Sequence, residues 1–121
     1  MAGQNTYLES DGKSVAVTLS ATVEKNQVAY VQGWLGIANQ DGVSADVITL
    51  SVDRREYQFT VPSGLAVSKG ATVYVDVTDL TGHIPDDTAY YTAADTNRVA
   101  LCKATAAKDG NNVVTGILIG G

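Results

Sequence analysis

The only histidine of the chain, His83, sits in TGHIPDD with Asp79, Asp86 and Asp87 close by. That grouping raises two chemistries: a His–Asp acid–base pair and a metal site. Nucleophilic catalysis needs a nucleophile held beside an oriented base. The one cysteine, Cys102, lies in VALCKA, a strand-like run in which a small buried thiol is the simpler reading. A zinc site needs several nitrogen or sulfur ligands, and one His with one Cys does not supply them. Neither DVTDLTGHIPDD nor AKDGNN has the alternating Asp or Asn, central Gly and closing Glu of a calcium loop. The glycines of GWLG and SKGATVY lack the Lys-Ser/Thr pair and following helix of a phosphate loop. The expectation is a chain with no catalytic, cofactor-binding or metal residues, and His83 is read as an exposed loop histidine.

Charge removes further classes. The formal net charge is −5 and the pI about 4.5, whereas neutralising a nucleic-acid backbone takes clustered Lys and Arg. The one adjacent basic pair, Arg54-Arg55, lies between Asp53 and Glu56 and reads as a solvated turn. One cysteine allows no intrachain disulfide. MAGQNTYLES lacks the basic and apolar regions of a signal peptide, and no apolar run reaches bilayer length. Neither nucleic acid nor membrane is expected as a partner. The expected place of action is a cytoplasm, or a particle assembled in one.

The aromatic residues suggest recognition. Trp34 lies between Gly33 and Gly36, and Tyr90-Tyr91 lies in an aperiodic stretch. Tyr and Trp are enriched at protein interfaces. Adjacent residues of an extended segment point opposite ways, so one of the two tyrosines is expected to pack inward. Trp34 is either a core residue or a contact.

The elements that hold these residues are strands. SVAVTLS places Val15, Val17 and Leu19 on one face; DVITLSV does so with Ile48, Leu50 and Val52; EYQFTV with Tyr57, Phe59 and Val61; TVYVDV with Val73, Val75 and Val77. Gly33 and Gly36 interrupt VAYVQGWLGIA, which predicts a bend, a bulge or a close backbone approach. DVITLSV and EYQFTV, separated by Arg54-Arg55, are expected to form a hairpin. Asp41-Gly42 and Asp109-Gly110-Asn111-Asn112 are turn signals, and Pro62 ends a strand. The prediction is an all-β fold: a small antiparallel β-sandwich or barrel of eight to nine short strands, one domain over residues 1–121. It has an extended N-terminal arm at residues 1–10 and one long irregular loop at residues 78–97, a length that marks function or flexibility.

A pattern recurs. Val23, Lys25, Tyr30 and Val31 have the spacing of Val67, Lys69, Tyr74 and Val75. GWLGIANQDGVSADVITLSV and RVALCKATAAKDGNNVVTGILI also share a strand–turn–strand pattern. Two readings stay open: an internal duplication, or the repeated turn chemistry of antiparallel β proteins.

Order and spacing carry a resemblance. VAYVQGWLGIA, EYQFTVP, LAVSKGATVYVD and the closing Asp-Gly-Asn hairpin resemble the small cement, or decoration, proteins of tailed-bacteriophage capsids. The matching residues are Gly36, Ile37, Ala38, Val61, Pro62, Lys69, Gly70, Val73, Tyr74 and Asp76, and the likeness runs over roughly residues 12–119. Some members of that family carry a recombinase-like label, which a chain without a phosphate loop does not support. The resemblance implies a structural virion protein that binds the outer surface of the capsid and stabilises it. Its implied partner is the major capsid protein, its implied form a homotrimer, and its implied location the virion exterior after assembly in the host cytoplasm. Irregularity and aromatic content, not the family pattern, single out Gln4, Asn5, Tyr7, Leu8, Trp34, Tyr90 and Tyr91 as contacts with shell or neighbour. The alternative is a non-catalytic binding module, glycan-directed through Trp34 or Tyr90-Tyr91 and displayed on a particle surface.

Overall fold

Short runs of alternating apolar and polar residues, each closed by a turn residue, are the units from which this protein is assembled. The computed structural model describes residues 13–78, 82–84 and 89–119, with residues 82 and 83 described at the backbone. The order is β1 (Ser14–Thr18), β2 (Val28–Val31), β3 (Trp34–Ala38), β4 (Val47–Ser51), β5 (Glu56–Thr60), β6 (Thr72–Asp76), β7 (Gly82–His83), β8 (Tyr90–Tyr91), β9 (Arg98–Ala104) and β10 (Val113–Leu118). Eight of these strands have four residues or more and two have two residues, and no helix occurs among the described residues. They form two antiparallel sheets, β1-β4-β3-β2-β7 and β5-β10-β9-β6-β8. Among the described residues the edge strands of each sheet do not pair with one another, so the architecture is a β-sandwich and not a closed barrel.

Turn chemistry explains several boundaries. Gln32 and Gly33 both have positive φ, 51° and 85°, and join β2 to β3 by a two-residue turn whose twist suits a hairpin. The run VAYVQGWLGIA is therefore two paired strands. Asp109 Oδ1 accepts the backbone N–H groups of Asn111 and Val113 at 2.8 and 3.0 Å, which fixes the β9–β10 turn.

The expected hairpin across Arg54-Arg55 does not form. β4 pairs with β1 and β3, while β5 pairs with β10 in the other sheet. The reason lies in the cores: Ile48 and Leu50 of β4 belong to one apolar cluster and Phe59 of β5 to the other. The link bends tightly, with Arg55 N–H donating to the Asp53 carbonyl at 2.9 Å, and carries the chain from one sheet to the next.

The two sheets repeat one plan. β1 corresponds to β5 at an offset of 42 residues, β2 to β6 at 44, and β3 and β4 to β9 and β10 at 66. Strand orders match position by position, and so does register: Ser14↔Ser51 becomes Glu56↔Ile117 under those offsets. Backbone bonds outside the strands match as well. Asn26 N–H donates to the Ala38 carbonyl and Gly70 N–H to the Ala104 carbonyl, both at 2.8 Å, and Asn26 and Gly70 share a positive φ. Val52 N–H to the Lys13 carbonyl has its counterpart in Leu118 N–H to the Arg55 carbonyl, both at 2.9 Å. A shared turn type would not conserve non-local register, so the two halves are an internal structural duplication.

Each half closes over its own core. Val17, Leu19, Val23, Ala29, Val31, Ala38, Ile48 and Leu50 form the first cluster. Phe59, Val61, Val67, Val73, Val75, Ala104, Val114 and Leu118 stand at or beside the equivalent places in the second. The β2–β3 hairpin serves both: Ala29 and Val31 face the first cluster, whereas Leu35 and Ile37 join the second. No charged or polar residue is buried among those described.

Candidate interaction surface

Residues 78–97, expected to be an irregular loop, contribute an edge to each sheet. β7 pairs with β2 through Ala29↔His83 and Tyr30↔Gly82, and β8 pairs with β6 through Tyr74↔Tyr91 and Val75↔Tyr90. Two-residue strands are too short to show a period, which is why the sequence pattern misses them.

The tyrosines divide as extended geometry requires. Tyr90 is 5% exposed and packs in the second cluster. Tyr91 is half-buried, and the Arg98 guanidinium lies 3.7 Å from its ring centroid. Arg98 also donates from Nη1 to the Ala93 carbonyl at 2.9 Å, so one side chain ties the end of the excursion to the start of β9. The stacked cation stiffens Tyr91 while leaving part of the ring at the surface. Nearby, Asp76 accepts the Thr78 N–H at 2.9 Å, and that bond holds its carboxyl below the usual carboxylate range.

Trp34 opens β3 directly after the Gln32-Gly33 turn and is 41% exposed. Its neighbour across the hairpin is Val31. Val43 and Val47 are the other large exposed apolar residues among those described, at 55% and 62%. Both escaped the sequence reading, although the alternation of Ile48, Leu50 and Val52 already sets Val47 on the opposite face. Gln4, Asn5, Tyr7 and Leu8 lie outside the described residues.

The other chemically suggestive residues are dispersed. His83 is placed by its backbone beside Ala29, while Asp79, Asp86 and Asp87 lie outside the described residues. Among the described residues no three His, Cys, Asp or Glu side chains group as metal ligands. Asp41 and Asp46 spend their carboxylates on the backbone N–H groups of Lys25 and Val43, at 2.8 and 2.9 Å. Arg55 is ion-paired with Asp53, which also accepts the Tyr57 hydroxyl at 3.1 Å. Burial, then this bond to a carboxylate, raises the Tyr57 phenol above its ordinary value.

Cys102 is fully buried in β9, and burial pushes its thiol up to about 12. Since the thiolate is the reactive form, labelling of the native protein at pH 8 by a disulfide reagent is expected to be about a hundredfold or more slower than that of an exposed thiol. It should reach one thiol per chain on unfolding; rapid labelling of the folded protein would contradict the buried assignment. Between the ordinary thiol value of 9.0 and about 12 the unfolded thiol ionises while the folded one does not, so this group lowers stability as pH rises through that window.

A groove of about 390 Å³ runs between the halves, lined by residues 26–28, Ile37, residues 57–60, Ile84 and Tyr90. Among the described residues no strand pairs with the outer edge of β5, which flanks it. Among the described residues the surface thus carries an exposed Trp34, a half-buried Tyr91 and, at β5, a sheet edge with no paired strand.

A family model described as phage cement protein matches residues 9–119 of the chain. No match was found among curated proteins or among solved structures.

Proposed function

The chain belongs to the phage cement protein family, and from that premise we propose that it binds the outer surface of an assembled capsid and stabilises the shell. The family is a structural, non-enzymatic one and its members are virion components associated with the capsid. The match over residues 9–119 is the observation that carries the proposal. The fold supports it: each half has a buried core, and the hairpin shared by both cores makes a stiff brace. The contact residues we propose are Trp34 and the exposed part of Tyr91, with Gln4, Asn5, Tyr7 and Leu8; Tyr90 is assigned to the core. The partner is the major capsid protein, the form a homotrimer, and the site of assembly the host cytoplasm. Many copies on one shell act together by multivalency, so modest single-site affinity suffices.

The test is direct. Purified protein added to shells lacking it is expected to co-sediment with them and to raise the temperature at which they break. Trp34→Ala and Tyr91→Ala are each expected to weaken binding about fivefold or more, as interface aromatics do, with little change in the fold. Failure of the unmodified protein to co-sediment would end the proposal.

A further inference from the structure

Two equivalent turns of this protein carry different chemistry. Residues 43–46 lie in the connection from β3 to β4, and residues 109–112 lie at the offset of 66 in the connection from β9 to β10. Their backbones match. Asp46 N–H donates to the Val43 carbonyl at 3.0 Å, and Asn112 N–H to the Asp109 carbonyl at 3.3 Å. Leu19 N–H donates to the Asp46 carbonyl at 2.8 Å, and Val61 N–H to the Asn112 carbonyl at 3.0 Å. The second turn reads Asp-Gly-Asn-Asn, all turn-forming residues, whereas the first reads Val-Ser-Ala-Asp. The first is thus built against local preference. Ala45 has a φ of 77°, the left-handed region that glycine and asparagine tolerate better. Val43 is 55% exposed, where its counterpart Asp109 caps its own turn. Val47 is 62% exposed, where its counterpart Val113 is half-buried. The turn itself requires neither exposed valine, because the second half closes the same turn without them. Backbone strain beside exposed apolar side chains points to a contact.

Charge indicates what that contact meets. Glu24, Asp41 and Asp46 line a recess of about 400 Å³ together with Val43. Their counterparts in the second half are Ser68, Ala107 and Asn112, none of them charged, while Lys25 is matched by Lys69. The two ends therefore differ by acidic groups as well as by exposed valines. Asp41 and Asp46 each cap a backbone N–H with one carboxylate oxygen, and Glu24 is exposed. An apolar surface with an acidic rim is complementary to an apolar surface that carries basic groups. We propose that Val43 and Val47, with Glu24, Asp41 and Asp46 around them, form a docking surface for an apolar, Lys- or Arg-bearing segment of the capsid shell. This inference rests on the capsid-binding reading and adds to it a surface and the chemistry of its partner.

Co-sedimentation with shells that lack the protein tests it. Val43→Asp takes the residue of the second turn, and Val47→Thr keeps a β-branched strand former. The double variant should therefore melt within about 2 °C of the unmodified protein. It is expected to bind shells about tenfold or more weakly. Glu24→Lys reverses an exposed rim charge and is expected to weaken binding about threefold in ~0.05 M salt and less in ~0.5 M. A folded double variant that binds as tightly as the unmodified protein would overturn this proposal and leave the capsid-binding reading standing. Failure of the unmodified protein to bind would overturn both. Tighter binding by Glu24→Lys would put an acidic partner on this surface, and a changed mass of the free double variant would put a second copy there. Either result would overturn the proposal as well.

Discussion

Gly36→Val is expected to destabilise the protein by about 3 kcal/mol, the upper part of the range for forcing atoms into a packed site. A β-carbon at Gly36 would stand 2.6 Å from the Ser51 carbonyl oxygen, 3.1 Å from Val52 Cγ1 and 3.2 Å from Leu50 Cβ. The closest of these is backbone, at the place where Ile37 pairs with Ser51 and joins β3 to β4, so it cannot swing away like a side-chain tip. At roughly 4 °C per kcal/mol for a chain of this size, the melting temperature should fall by about 12 °C. Gly110→Ala is the control: nothing lies within 4 Å of its added carbon, and its effect should stay within about 0.5 kcal/mol. Thermal melts followed by circular dichroism decide the matter. A Gly36 variant as stable as the control would mean that β3 and β4 are not pressed together as described. The second half meets the same crowding with the glycine on the other strand: a β-carbon at Gly116 would lie 2.9 Å from Cys102 Sγ. Equivalent β-strand pairs thus each keep one glycine at their closest approach.

Leu50→Ala and Leu101→Ala are each expected to cost about 2–5 kcal/mol, the range for emptying a buried leucine site. Both residues are fully buried, one in each cluster. What distinguishes the structural account is the shape of unfolding. Because β2 and β3 supply residues to both clusters, losing one core strips a layer from the other. Both variants should melt in a single transition, with calorimetric and van't Hoff enthalpies in agreement. Two resolved transitions, or loss of one half alone, would show that the duplicated halves are independent units and would overturn the shared-hairpin reading.

Much of the secondary structure was legible because alternation is a local property. Val15, Val17 and Leu19, or Val73, Val75 and Val77, announce a strand and its buried face through period alone. The same logic foretold that Tyr90 and Tyr91 would point opposite ways. It could not say which turns inward, since that depends on β8 pairing with β6 and on the second cluster behind it. Trp34 stayed ambiguous for a similar reason. Its exposure follows from its position just after the β2–β3 turn, whereas a tryptophan between glycines is as compatible with a core.

Turn residues mark where the chain reverses but not what it joins. The same kinds of signal stand between β9 and β10, which pair, and between β4 and β5, which part into different sheets. The spacing of Val23, Lys25, Tyr30 and Val31 against Val67, Lys69, Tyr74 and Val75 was visible, yet only the matched registers distinguish duplication from reused turns. By itself the sequence determined an all-β chain with its apolar faces, poor in catalytic groups and acidic, in the order of a phage cement protein. Tertiary structure decided how strands divide between two cores and which glycines stand at close approaches. Those features depend on contacts between residues far apart in the chain, where burial and register choose among pairings that local patterns leave equal.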